Sequence, residues 1–526
     1  MGFALIGLAA ACFAGLAYFA WLGKLGLVAM VLLGLSGGLF FAGRRKLSPK
    51  ARKLPDTVGK ILFTIVGCMA LLRHPIDTNV LMAKGGESNI TFDVGGAPEL
   101  LAEESIRVTV KDGQDKAVAT KDVRPTKGQN TVKVDLPEGK YTVDLSTPKS
   151  DKVSATPSMK LPIYSAISEY IDKVDRGEFI KWALVAMGVK FIGVLASAFA
   201  WHLLLIGQGV RFPYWRKIVT AFLIGRFIGT FLPSTIGLDG YTLYEAGKYS
   251  NEWARVITAK TLEKFVGVTG LFLGMVVTLP FGYSVIVDVM TGVGKPESAP
   301  LLAGAILTVA GGISAVVVIG LVWPSFIVAI MRLLEMITGK VLGIVPPLKG
   351  VSNKIIGILQ QFTASVQAYR GKVGLLMLTL LAKFITHFTT AAVYYFTALA
   401  IGVVTAEFWP ITFGSTIQIL ATLLSPTVAG EGAREAFQAL LLSKQLGGVA
   451  QAVLSGALGF IAAEAATMWG GAFLWVRTPQ WRPAFALVDG KQVDYAWITD
   501  DDEGGFDAER IQKVRAQHTA RPPSAD

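Results

Sequence analysis

Long, sparsely charged apolar runs recur along the chain, and they limit what it can fold into. A helix needs about 20 apolar residues to cross the hydrocarbon core of a bilayer. Residues 2–22, 25–43, 180–204, 257–280, 301–322, 373–401 and 448–476 reach or approach that length. A shorter run, 58–72, spans if Lys60 and Arg73 extend to the interfaces. Composition agrees: 52% of the 526 residues are hydrophobic, 17% are charged, and the mean hydropathy is +0.51. The chain reads as a polytopic α-helical membrane protein. The first run lacks both a charged leader and a cleavage site, so it is read as a helix, not a signal peptide.

The formal charge of +12 would suggest nucleic acid only if it formed a patch on a soluble domain. Here the basic residues concentrate between spans, as the positive-inside rule and anionic lipid require. Arg44, Arg45, Lys46, Lys50, Arg52 and Lys53 follow the second span with no acid among them. They place that loop and the N-terminus in the cytoplasm. Arg211, Arg216 and Lys217, and later Arg477 and Arg482, mark further cytoplasmic ends. The expected location is the bacterial inner membrane, with both termini inside. Cys12 and Cys68 lie in apolar runs and the chain has four histidines, which argues against a disulfide framework and against Cys- or His-rich metal sites. With no Walker or dinucleotide motif, no cofactor and no catalytic activity are expected.

Between the third and fourth spans the pattern changes. Over residues 74–165, NITFDV, SIRVTVKDG, TVKVDL and KYTVDLS alternate with period two, and Asp112-Gly113 and Glu138-Gly139 offer turns. An inserted, small all-β extracytoplasmic domain of immunoglobulin-like sandwich type is expected. It serves as a binding or spacer module toward an envelope protein or glycan.

Two segments are apolar yet broken. In SPTVAGEGAREA, Ser425–Ala436, Pro426 removes a donor and Gly430 and Gly432 favour turns, so a new helix begins near Ala433. Setting Leu232–Gly240, LPSTIGLDG, beside Leu424–Gly432, LSPTVAGEG, matches Leu, Thr and the final Gly and brings Asp239 opposite Glu431. Interrupted hydrophobic segments in corresponding places signal a repeat-built transporter. Positive-inside assignment makes 219–247 enter from the cytoplasm and 410–445 from the opposite face. The expected core is therefore an inverted repeat with re-entrant broken helices. Asp288, Lys295 and Glu297 are expected in a short external loop between 280 and 301, and 324–372 as interfacial helices joining the halves.

An ionisable group at mid-bilayer costs about 2.5–3.5 kcal/mol on insertion scales, so each needs a partner or water. Arg434 is the foremost candidate, because a guanidinium fork fits a lipid phosphate and helix N-terminal amides add to anion binding. Glu431 and Glu435 would hold it when the site is empty, or bind a cationic head group. Asp239 is the counterpart in the other half. Lys383 and His387, four apart, line a cavity or form a structural network. Glu263-Lys264 reads as an interfacial or structural pair. Lys190, His202, Arg226 and Glu464 are the remaining candidates among the ionisable groups in the apolar segments.

The stretch from Phe227, FIGTFLPSTIGLDGYTLYEAGKYSNEWARVITAKTLEKFVGV, and the later SPTVAGEGAREAF together resemble the two signatures of the lysylphosphatidylglycerol synthase transmembrane-region family, over about residues 181–476. The resemblance implies a flippase-like membrane fold that handles lipids, in some members moving them between leaflets. The synthase domain of bifunctional members has no counterpart here, so lipid aminoacylation is not expected. The resulting division is N-terminal helices 1–73, β-domain 74–165, flippase-like core 166–477 and a partly disordered cytoplasmic tail 478–526. The expected ligand is an anionic phospholipid or polyprenyl-phosphate lipid, with no nucleic acid. The alternative is a non-catalytic scaffold or accessory subunit of a lipid- or glycan-modifying envelope system.

Overall fold

A computed structural model describes residues 2–475 apart from 23–26, 96–104, 115, 147–152, 232–235, 251, 342–348, 426, 428 and 429, and also describes 485–488 and 491–494. The chain forms two compact units, Met1–Val174 with Val449–Gln451, and the remainder. Among the described residues, eight helices are long and apolar enough to cross a membrane.

The first unit begins with α1 (Gly2–Trp21), α2 (Leu27–Arg45) and α3 (Pro49–Arg73). Small residues let α1 and α2 approach, as in membrane helix pairs generally. A Cβ on Gly43 would lie 2.8 Å from the Gly2 carbonyl oxygen, and Ser36 Oγ donates to the Ala9 carbonyl at 3.1 Å. The basic turn before α3 is set locally. Pro49 opens the helix, Ser48 accepts from the Ala51 N–H at 3.4 Å, and Arg44 grips Asp56 with two nitrogens at 2.8 and 2.9 Å. Phe3, Leu8, Met30, Val31 and Ile65 stay exposed on these helices, as lipid-facing side chains do.

The β-region of the same unit has strands β1 (Pro75–Thr78), β2 (Val80–Gly95), β3 (Ile106–Lys111), β4 (Ala117–Val123), β5 (Gly128–Ser146), β6 (Ser154–Pro157) and β7 (Met159–Pro162). One antiparallel sheet runs β4-β3-β5-β2-β6, and β1 pairs with β7. This order does not establish the expected immunoglobulin-like arrangement. The turn expected at Glu138-Gly139 is absent, because Glu138 and Gly139 sit inside β5 opposite Lys84 and Ala83. Asp112-Gly113 does connect β3 to β4, with Asp112 Oδ1 accepting from the Gln114 and Lys116 N–H groups. Along the β2–β5 ribbon the inward set changes phase at Gly85-Gly86, both at positive φ. Leu81 and Ala83 point inward before it, Ile90, Phe92 and Val94 after it, all into one apolar cluster. A short helix, α4 (Ile163–Ile171), follows.

The second unit holds α5 (Arg176–Gly207), the short strand β8 (Val210–Arg211), α6 (Thr220–Phe231), α7 (Ile236–Ser250), α8 (Trp253–Thr278), α9 (Tyr283–Gly292) and α10 (Pro296–Val322, with a π-helical turn at Leu307–Gly311). It continues with α11 (Pro324–Val341), α12 (Lys349–Gln367), α13 (Val373–Ala400), α14 (Phe408–Leu424), α15 (Ala433–Leu442) and α16 (Val449–Met468). Two strands, β9 (Phe485–Val488) and β10 (Lys491–Asp494), pair with each other, and β9 pairs with β8. Part of the expected tail is therefore a strand pair; the rest lies outside the described residues. The loop expected around Asp288, Lys295 and Glu297 contains α9, whose Asp288 accepts from Lys444 and Gln445 at 2.9 Å. That bond ties α9 to the end of α15.

Helix α5 packs along α13 so tightly that a Cβ on Gly193 would lie 2.2 Å from Thr389 Oγ1. Helix α8 joins them through Gly270, where a Cβ would lie 2.8 Å from the Lys383 backbone. A large core collects around Trp201, Leu204, Phe222, Leu262 and Val266. Both broken segments are helical hairpins. Helix α6 returns as α7 with Gly237 against Gly229, where an added Cβ would come within 2.4 Å. Helix α14 returns as α15, with Gly414 against Leu442 at the base and Gly430 against Thr422 at the tip.

Candidate functional site

Helix α8 carries both hairpins. Beside its first residue, the Trp253 ring packs on Gly247, where a Cβ would lie 2.4 Å away, and this fixes the base of the α6–α7 hairpin there. Just past its last residue, Gly282 packs on Phe413, and Phe281 stacks on Trp409 at 4.8 Å, which fixes the base of the α14–α15 hairpin. From those bases each hairpin runs inward along α8. On one side Thr242 accepts from Lys260 at 3.0 Å and Asp239 meets Lys260 and Lys264. On the other, Thr416 faces Gly274 at 3.8 Å, with two further turns of α14 still to run toward the tip. Asp239, in the first turn of α7, thus reaches the middle of α8, whereas Arg434, in the first turn of α15, meets Phe460 of α16. Leu232–Thr235, Pro426, Val428 and Ala429, parts of the two matched motifs, lie outside the described residues.

At that level the structure assembles a chain of charges. Asp239 on α7 meets Lys260 at 3.2 Å and Lys264, both on α8. Lys260 also meets Glu263 at 2.7 Å, one turn on, and lies over the Trp201 ring at 4.5 Å. Glu263 reaches across to Lys383 on α13 at 2.6 Å, and Lys383 donates to Ser197 on α5 at 3.0 Å. Asp239 and Lys383, singled out separately in the sequence, thus belong to one network. The interfacial or structural pairing expected for Glu263 and Lys264 is not what forms. Glu263 is buried between Lys260 and Lys383, while Lys264 pairs with Asp239. Consecutive helix residues point about 100° apart, so one faces the bundle and the other its opening.

Lys264 is the open end of this chain. Its side chain is 53% exposed and its partner Asp239 22%, whereas Lys260, Glu263 and Lys383 are all below 10%. Three ammonium groups face two carboxylates, so the network carries a cationic surplus whose accessible part is Lys264. His387, one turn beyond Lys383, faces the backbone of Gly267.

The second group surrounds the α15 N-terminus. Gly432 precedes the helix at φ 77°, and Glu435 in the first turn accepts from the Gly432 N–H at 2.8 Å. Arg434 donates to the other oxygen of Glu435 at 2.9 and 2.6 Å, and its guanidinium lies 4.1 Å from the centre of the Phe460 ring. With 5% of its side chain exposed, Arg434 rests on Glu435 and on Phe460 of α16. Glu431 is half-buried in the turn before α15. A third group joins α6 to α16: Arg226 donates to Glu464 at 3.1 Å, and Thr230 donates to the same carboxylate at 2.6 Å.

The family described as the lysylphosphatidylglycerol synthase TM region matches residues 164–470. The chain belongs to this family. No curated protein and no solved structure matches it. The matched span takes in both hairpins, α8, α13 and all three charged groups, and leaves out α1–α3 and the β-sheet region. Together with its long apolar helices, membership makes the chain a multi-pass membrane protein. Within the family region, Lys260 and Ser197 are site residues that the sequence reading passed over. The spacing of Lys260, Glu263 and Lys264 on one apolar helix was the available signal, since groups three and four apart share a face.

Proposed function

We propose that the family region binds the anionic head group of a membrane lipid at Lys264 and carries it between leaflets while the acyl or polyprenyl tails remain in the bilayer. The observation that carries this reading is a cationic network at the middle of α8, between two hairpins whose bases are fixed at its opposite ends, with one accessible ammonium. In a bilayer, two such hairpins are re-entrant segments from opposite faces, and their inversion is what alternating access requires. Helix α8, 26 residues long, rises about 39 Å, so its middle lies at membrane depth. Charge there is tolerated where it meets water or a ligand.

In this reading Asp239 holds Lys264 while the site is empty and yields it to a phosphate. Lys260, Glu263 and Lys383 fix the geometry behind it. Arg434 and Glu435 set the second tip in place and do not bind the head group. The chain acts as a carrier, not an enzyme, in the bacterial inner membrane. Its β-region faces outward toward an envelope protein or glycan.

Native mass spectrometry of the detergent-purified chain tests the site. The wild type is expected to retain a discrete anionic lipid that Lys264→Gln loses while Arg434→Lys keeps it. Indistinguishable lipid profiles for wild type and Lys264→Gln would contradict the assignment.

A further inference from the structure

Charged groups follow the seam between α5 and α13, from Lys383 behind the head-group site to Lys190 outside it. Facing polar side chains form rungs along it. Lys383 donates to Ser197, Thr386 donates to the Gly193 carbonyl at 3.2 Å, and Lys190 donates to Thr390 at 2.9 Å. Lys383 and Thr390 are two helical turns apart, so the rungs cover about 10 Å. Between them lies His387. Among the described residues, the charged groups that act on it are Lys383 on its own helix and Lys190 on α5, and the Gly267 backbone faces it from α8.

Each end of this file meets a carboxylate. Lys383 ends on Glu263. Lys190 lies within electrostatic reach of Glu464 from α16 and of Arg226 from α6. Lys190 differs from the other buried cations. It is 7% exposed, its hydrogen-bond partner is a hydroxyl, and it forms no ion pair among the described residues. The Thr390 hydroxyl donates to the Thr386 carbonyl at 2.7 Å and accepts from Lys190, and a neutral amine still has N–H donors for that contact. This nitrogen can therefore gain or lose a proton without breaking its contact.

We propose that Glu263, Lys383, His387, Lys190 and Glu464 form a proton relay that couples lipid movement to a proton gradient, the proton travelling in the same direction as the anionic head group. The proposal rests on the lipid-exchange reading above. A loaded site is neutralised by the bound anion, whereas an emptied site must carry its surplus positive charge back through a low-dielectric region. Release of one proton from Lys190, through His387, to water on the receiving side removes one unit of that charge. Uptake of one proton from the donor side restores it before the next head group binds. One proton therefore enters and one leaves for each lipid moved, and no other reactant is needed. Chains of acidic and imidazole groups inside membranes serve such relays.

The test uses the full chain in phosphatidylethanolamine–phosphatidylglycerol vesicles with fluorescent phosphatidylglycerol and a lumenal pH dye. With one proton per lipid, a gradient of one pH unit should bias the labelled lipid between leaflets about tenfold, and a protonophore should abolish the bias. Lys190→Met should lose both the bias and the dye response while exchange at equal pH continues. His387→Gln should lose the bias, and Thr390→Val, close in size to the native residue, gives a further check should Lys190→Met fold poorly. Exchange that ignores the gradient in the wild type, or a Lys190→Met or Thr390→Val protein that keeps the tenfold bias, overturns the relay. Absence of lipid movement in the wild type at every pH overturns the lipid-exchange reading instead.

Discussion

Glu263 is held from two sides by ammonium groups, and a buried charge that loses its partners is costly. Removing one partner of a buried pair typically costs about 3–5 kcal/mol, whereas replacing the whole pair by apolar groups is often neutral. Glu263→Leu is therefore expected to destabilise the protein by about that amount, and Glu263→Leu/Lys383→Met to recover most of it, read by thermal unfolding in detergent. Equal destabilisation by the single and double variants would show that the two side chains do not interact. Arg434 tests a different role at the same scale. Arg434→Ala removes both bonds to Glu435 and should cost stability, while Arg434→Lys, which keeps the charge, should lose less. Residue types and positions of Asp239, Lys383, Arg434 and Glu435 were legible in the sequence because charge in an apolar run is rare. Their partners were not, because Glu263–Lys383 and Lys190–Thr390 join residues far apart in the chain. Arg434, the exception, drew attention for its anion-binding chemistry, and its contact with Glu435, its neighbour in sequence, was legible with it.

The hairpins make the element scale testable. A Cβ on Gly237 would collide with the Gly229 backbone, whereas one on Gly240 meets nothing within 4 Å. Gly237→Ala is expected to cost about 1–3 kcal/mol through overpacking. Gly240→Ala, in the same helix, should be neutral or stabilising by up to about 1 kcal/mol. Thermal melts of the two variants side by side check this; equal effects would mean that α6 and α7 do not pack in this way. In the β-region, partial burial favours the neutral form of Asp77, but hydrogen bonds from Lys160 and Ser158 outweigh it and hold the carboxyl below the usual carboxylate range. The folded form thus gains stability from Asp77 above the ordinary carboxylate range, and that gain is lost as pH falls through the lowered folded value. Amide protection factors in the β1–β7 ladder, corrected for the intrinsic pH dependence of exchange, are expected to fall at pH below about 4, and Asp77→Asn should remove that dependence. The hairpin breaks were legible from Pro and Gly, but which helix each would pack against was not. The Glu138-Gly139 turn misled for a related reason: local composition cannot show that Lys84 and Ala83 pair across from it.

At the scale of the whole molecule, the family region and the residues before it are expected to divide the work. Replacing residues 74–163 by a short linker should leave lipid exchange intact if the β-region serves an envelope partner, and should abolish it if that region is part of the carrier. The alternation of long apolar runs with basic turns made the membrane class legible from the first residues. Compact pairs such as α5–α13 depend on Gly193 meeting Thr389, which no local pattern contains. The most direct measurement is leaflet exchange itself: the purified chain in vesicles with fluorescent phosphatidylglycerol, quenched from outside by an impermeant reductant. The wild type should bring inner-leaflet lipid to the reductant and take quenching well beyond the outer half, while Lys264→Glu should quench only that half. Wild-type vesicles that behave like protein-free ones would contradict the account.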